Sequence, residues 1–169
     1  MLDHLKRKPI APVAFTAVSV DYAAADIQQI IPHRDPFLLL DTITHIDLTE
    51  QSAIGHYVID AENPIFKGHF PENPVYPGVL QLESMGQLGL ALAHFVIHNT
   101  TAIPAITTQV RGLFTKILHA GFQNRLLPGD VMDISAKIIE YDDFLGKIAA
   151  QVHCREKLCS YAMLEVYFE

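Results

Sequence analysis

Val79-Leu-Gln-Leu-Glu-Ser-Met-Gly-Gln-Leu-Gly-Leu-Ala-Leu-Ala-His-Phe-Val-Ile-His98 holds no proline and is apolar on nearly every side. A helix of that composition is buried all round, at the centre of a fold rather than on its surface. At 100° per residue, Glu83, Gln87, His94 and His98 fall in a sector about 60° wide, a narrow polar stripe on an apolar rod. A carboxyl desolvated among Leu82, Met85 and Gly86 is expected to have its pKa raised and so to stay protonated.

Outward from this helix, the elements before it are short and those after it alternate. Ala23 to Ile31 reads as a short helix with Asp21 as its cap, stopped by Pro32. Phe37 to Ile46 reads as a strand, with a turn around Asp47 to Gln51 and a return strand from Ala53 to Ile59. Residues 63–78 carry Pro64, Pro71, Pro74, Pro77, Gly68 and Gly78, which predicts a rigid loop without regular structure. Beyond Pro104, Met132/Ile134/Ala136/Ile138, Phe144/Ile148/Ala150/Val152 and the stretch Leu158 to Phe168 alternate as strands, separated by turns at Pro128-Gly129-Asp130 and Asp142-Asp143. The sum is an α+β layout, five to seven antiparallel strands around one long buried helix, with no internal repeat.

The chain has 169 residues, half of them apolar, and a net charge of −7. That size suits one domain, and the composition excludes a disordered chain. An acidic chain with no basic run beyond Lys6-Arg7-Lys8 lacks the electrostatic footprint of nucleic-acid binding. No apolar run reaches the roughly 18–20 residues of a bilayer span, so a soluble, cytoplasmic protein is expected. Lys6-Arg7-Lys8 and the apolar stretch after it superficially resemble a secretory signal. Pro9 and Pro12 disturb the helix such a signal prefers, so residues 1–22 read instead as an extended arm with an edge strand ahead of one domain at 23–169. Cys154 and Cys159 are too few for a disulfide scaffold and match no zinc spacing; a hairpin around Glu156-Lys157 would set them opposite each other in one register. The nine histidines sit at no recognised ligand spacing, and no metal is expected.

There is no G-x-S-x-G elbow, P-loop, G-x-G-x-x-G or H-E-x-x-H. The passage Phe66-Lys-Gly-His-Phe-Pro-Glu-Asn-Pro-Val-Tyr-Pro-Gly-Val-Leu-Gln-Leu-Glu83 instead joins a loop histidine, His69, to a buried helical carboxyl, Glu83. A neutral histidine and a protonated carboxyl are an acid and base poised for proton transfer. Unpaired amides of Gly78 and Val79 at the helix start could polarise a carbonyl oxygen. That trio suits removal of a proton α to a carbonyl with loss of a β-hydroxyl. Taken singly, a loop histidine is more often only hydrogen-bonded, and a helix glutamate can simply bridge subunits.

Ile31-Pro-His-Arg-Asp-Pro-Phe-Leu-Leu39, Gly68-His-Phe-Pro71, Pro77-Gly-Val-Leu80, Leu82-Glu-Ser-Met-Gly-Gln87 and Pro128-Gly-Asp130 resemble, in order and spacing, the beta-hydroxyacyl-acyl carrier protein dehydratases of the FabZ type. The resemblance runs over roughly residues 24–168 and implies a hot-dog fold, a sheet wrapped round the central helix. It implies His69 and Glu83 as the catalytic pair, with Glu rather than Asp at 83 matching the FabZ branch. It places the two on opposite protomers of a homodimer, which some members build into a hexamer as a trimer of dimers. Gly78 matches the carbonyl-binding amide, Val79 is added from helix geometry, and Gln87 matches a glutamine that holds the acid.

The implied reaction is dehydration of (3R)-3-hydroxyacyl chains on acyl carrier protein to trans-2-enoyl thioesters in fatty-acid or related acyl-chain biosynthesis, without a cofactor. Which of His69 and Glu83 handles each proton stays open. Phe66, Phe70, Tyr76, Phe95 and Phe114 are candidates for an acyl tunnel, against plain core packing. Lys67, Lys116 and Arg125 are candidates for contacts to the carrier. Gly121-Phe-Gln-Asn124 stands where the family commonly carries a basic run, which weakens the electrostatic case for an acidic carrier. A hot-dog acyl thioesterase and a non-catalytic acyl-binding subunit are the rival readings.

Overall fold

The computed structural model describes residues 5, 6, 8–11 and 16–169; parts of the expected N-terminal arm, including Pro12, lie outside the described residues. Its elements run β1 (Val18–Ala23), α1 (Ala24–Ile30), β2 (Thr42–Asp47), β3 (Ser52–Val58), a 3-10 turn (Pro64–Lys67), α2 (Gly78–Ile97), β4 (Gly112–Phe122), β5 (Val131–Tyr141), β6 (Leu145–Cys154) and β7 (Lys157–Phe168). The strands form one antiparallel sheet in the order β1-β2-β3-β5-β6-β7-β4. The sheet bears on α2 through β3, β5, β6 and β7. This is the hot-dog arrangement.

The helix is buried because its side chains meet the sheet's inner rows. Met85, Leu88, Ala91, Leu92 and Phe95 are solvent-free, as are Ile134, Ala136, Ile148, Ala150, Val152 and Leu164 on the strands, all in one core. The alternation in β5 to β7 places every second residue on that face. Phe144, expected to open the β6 alternation inward, is instead exposed in the turn before β6, where Asp142 Oδ1 accepts the Phe144 and Leu145 amides.

Several boundaries differ from the sequence expectation for local reasons. The strand expected from Phe37 starts at Thr42, because the Phe37 carbonyl and the Leu39 amide bond to the Gln87 side chain and not to a neighbouring strand. The cap of α1 is not Asp21: Asp26 Oδ2 accepts the Ala23 amide at 3.1 Å. The Pro/Gly-rich loop does contain regular structure, a 3-10 turn that Asn63 caps by accepting the Ile65 amide at 3.0 Å. The turn between β6 and β7 lies at Arg155-Glu156, both at positive φ, so Cys154 faces Lys157 and not Cys159. Both thiols are buried and unbridged, and burial pushes Cys159 up to about 11. At Pro128-Gly129-Asp130 the glycine adopts φ +82°, a conformation that a side chain strains. Asp130 closes that turn by accepting the Leu127 amide at 2.9 Å and pairs with Arg155.

Leu5 and residues 8–11 pack on the outer face of the sheet, away from α2. Leu5 is buried against Ala149, Tyr161 and Met163. Gln151 of β6, fully buried, fastens this segment: its Nε2 donates to the carbonyls of Leu5 and Lys8, each at 2.8 Å, and its Oε1 accepts the Ile10 amide at 2.9 Å. Replacing Gln151 by Ala leaves these backbone groups without partners at a cost of about 1–3 kcal/mol. The expected outcome is a lower Tm and faster proteolysis of residues 5–11, read by calorimetry and mass spectrometry of a limited digest.

Candidate active site

Glu83 lies early in α2, on the helix face turned toward the segment after α1. It lines a cavity of about 250 Å³ with His33, Phe37, Gln87, Leu90 and Phe114. Gln87, one turn on, is buried and binds in three directions: Nε2 donates to Glu83 Oε1 at 2.9 Å and to the Phe37 carbonyl at 2.8 Å, and Oε1 accepts the Leu39 amide at 2.7 Å. His33 Nε2 stands 3.4 Å from the same Glu83 oxygen. Burial acts to raise the Glu83 pKa, but the contacts with His33 and Gln87 outweigh it, and the carboxyl is held below the ordinary glutamate range. The sequence expectation of a raised value is therefore corrected. Hydrogen bonds to the charged form stabilise it more than burial among Leu82, Met85 and Gly86 destabilises it.

The cavity owes its far wall to a missing side chain. Phe114 of β4 lies over Gly86, where an added Cβ would stand 2.0 Å from the ring. His33, Phe37 and Gly86 are cavity residues that the sequence reading did not single out. The available signal was the motif at Ile31 to Leu39, which carries His33 and Phe37 between α1 and β2.

His69 does not line this cavity. It is half-buried in the loop after the 3-10 turn, and its ring stacks on Phe70 with centroids 4.2 Å apart. The loop is knitted by the His69 amide to the Ile65 carbonyl at 2.9 Å and the Val75 amide to the His69 carbonyl at 3.0 Å. His69 Nδ1 lies 2.7 Å from the Val75 carbonyl. A carbonyl only accepts, so Nδ1 carries the proton and the lone pair sits on Nε2. The Gly78 and Val79 amides open α2 without intrahelical acceptors, and Val79 is largely exposed.

The other expected site residues separate. Phe66 and Tyr76 pack on each other in the core, Phe95 stacks on Tyr22, and Phe70 is half-exposed beside His69. Of the five aromatics proposed for a tunnel, Phe114 alone lines the cavity at Glu83 among the described residues. Lys67 and Arg125 are exposed, and Lys116 pairs with Glu165 at 3.1 Å. The polar stripe also divides. Glu83 and Gln87 serve the cavity, whereas His94 is sealed against Phe95 and His98, and desolvation pushes its pKa down to about 4.

A helix inside a wrapped sheet, with a carboxyl facing an apolar cavity, places the molecule among the hot-dog proteins. Solved structures share the fold. The dehydratase heterocomplex ApeI:P from Xenorhabdus doucetiae superposes with a TM-score of 0.64 at 16% identity, over 85% of this chain and 90% of that one. The PaaI protein of the E. coli phenylacetic acid degradation operon gives 0.55 at 12% identity, over 77% and 79%. In sequence, the FabA-like domain matches residues 31–159. The 3-hydroxyacyl-[acyl-carrier-protein] dehydratase FabZ of Sulfurimonas denitrificans is 38% identical over 140 residues, 83% of this chain and 92% of the relative. That of a Sulfurovum species is 33% identical over 144 residues, 85% and 95%. The chain belongs to the FabA-like family and, within it, to the FabZ-type dehydratases.

Two outcomes follow from the geometry. Gln87→Leu leaves the Phe37 carbonyl and the Leu39 amide unpartnered and is expected to lower stability in urea by about 2–4 kcal/mol. Because the folded-state pKa of Glu83 is depressed, its stabilising contribution is present above the unfolded value and is lost as pH falls through the folded one. Denaturation curves of Glu83→Gln against the parent protein should therefore converge at acid pH and separate above the ordinary glutamate range.

Proposed function

We propose that this chain dehydrates (3R)-3-hydroxyacyl thioesters borne on acyl carrier protein to trans-2-enoyl thioesters, in the assembly of fatty-acid or related acyl chains, as a homodimeric enzyme of the cytoplasm. The observation that carries the reading is the complementary preparation of two groups. His69 presents the lone pair of Nε2 because Nδ1–H is engaged by Val75, and Glu83 turns a carboxyl into an apolar cavity. His69 takes the C2 proton, and charge builds on the thioester oxygen, which the Gly78 and Val79 amides stabilise. Glu83 gives its proton to the 3-hydroxyl, the C3–O bond breaks and water leaves. An acyl chain entering the cavity strips water from the carboxyl, which favours the protonated form that this step needs.

His69 and Glu83 of one chain do not share a cavity, so the reading requires a second copy to bring His69 to Glu83. Strand β4 supports that copy. It is an edge strand of 11 residues on which Leu113, Phe114, Ile117, Leu118 and Phe122 are exposed. Long apolar edges of this kind are ordinarily covered by pairing. Phe114 then stands between the interface and the cavity and would line the acyl tunnel. Lys67 and Arg125 remain exposed for the anionic carrier, and the catalytic domain spans residues 23–169 together with β1, which the segment before it contributes to the sheet. The dimers in turn can assemble as a hexamer.

Ultraviolet absorbance of the conjugated enoyl thioester tests the activity. His69→Ala and Glu83→Gln should each lower kcat by ~10²–10⁴-fold. A site built across protomers should regain roughly a quarter of the parent activity when the two variants are unfolded, mixed and refolded, since half of random pairs are mixed and each holds one intact site. A folded His69→Ala protein that keeps near-full activity would sink the mechanism. Release of free thiol without enoyl product would point to a thioesterase.

A further inference from the structure

The motif at residues 31–39 has no task in the reaction described above, yet it is fastened at both ends. The Arg34 guanidinium donates to the carbonyls of Gln28 at 2.9 Å, Ile31 at 3.0 Å and His33 at 2.6 Å. Gln87 holds the Phe37 carbonyl and the Leu39 amide. His33 hangs between these clasps, its ring stacked on Phe37 with centroids 6.5 Å apart. Its Nδ1 is buried without a partner, and its Nε2 faces Glu83 Oε1. Burying an imidazole with one nitrogen unsatisfied costs free energy that an apolar residue of similar size would not. Packing alone is thus a poor reason for a histidine here, and the contact with Glu83 supplies a better one.

We propose that His33 is a positioning residue for the acid, aiming the Glu83 carboxyl into the cavity and governing its proton. The proposal rests on the dehydratase reading. Gln87 and His33 both address Oε1, which leaves Oε2 free to meet the departing hydroxyl. An Nε2–H directed at Oε1 favours the carboxylate, and its removal favours the acid. Few other charges bear on Glu83. From β4 and β7 the cavity is closed by Gly112, Leu113, Phe114 and Val166, none of them charged, and nearby Lys116 is engaged by Glu165. On the segment of His33 itself, Arg34 is committed to backbone carbonyls and Asp35 is exposed. His33 is therefore the titratable neighbour that reaches the carboxyl among the described residues.

The test compares pH profiles of kcat/KM with a direct titration of the Glu83 carboxyl by carbon-13 NMR, in the full-length protein without substrate. In His33→Phe, which keeps a ring for Phe37, the Glu83 titration should move to higher pH, because the acid now keeps its proton longer, and the limb of the kcat/KM profile that Glu83 sets should move with it. The loss in kcat should be smaller than the ~10²–10⁴-fold of removing Glu83. His33→Gln, whose amide still donates to Oε1, should return the limb toward its original position. In the unsubstituted protein the Glu83 resonance should show a second inflection where His33 titrates, a readout that needs no variant to fold. A limb and a carboxyl titration unmoved in folded His33→Phe, or no second inflection in the parent, would overturn the proposal. Should the parent dehydrate no hydroxyacyl thioester, the dehydratase reading falls, while the titration still decides whether His33 governs Glu83.

Discussion

The side-chain amide of Gln87 is the contact on which the site depends. It lies in the buried stretch of α2, where an amide that misses its partners is costly, and it meets all three within hydrogen-bond distance. Two of these bonds hold the backbone of residues 37–39, which then cannot join β2 and instead becomes a wall of the cavity. The third fixes the Glu83 carboxylate. One residue thus couples the position of the helix, the course of the segment after α1 and the orientation of the acid.

The same neighbourhood shows how burial and hydrogen bonding compete. Among apolar residues a carboxyl would be driven toward its neutral form. Here Gln87 and His33 supply donors close enough to reverse that outcome. His69 meets the opposite demand with a single bond, since the Val75 carbonyl dictates which nitrogen carries the proton. Both groups are positioned by loop and helix backbone that is itself tied down, a restraint on rotamers that the proposed proton transfer would use.

The sheet has two different faces. Inside, alternating apolar rows meet α2. Outside, Leu5 packs on β6 and β7 and Gln151 holds the carbonyls of Leu5 and Lys8, so part of that face is covered by the chain itself. At the β4 edge Leu113, Phe114, Ile117, Leu118 and Phe122 are exposed among the described residues, the face that the proposed second copy would cover.

Much of this was legible in the amino-acid order. A proline-free apolar run of twenty residues can only be a buried helix, and residues alternating at period two in β5 to β7 can only line one face of a sheet. Those readings rest on local periodicity, which sequence carries directly. The motif around Gly68-His69 and Glu83 was equally visible, because glycine, proline and ionisable residues mark a constrained backbone. The start of β2, the sign of the Glu83 shift and the nearness of His33 were not, because each is decided by a side chain some 50 residues away along the chain. Sequence fixes which groups are present and their local rhythm. Only the packed chain decides which donor reaches which acceptor, and in a buried site that choice sets the charge.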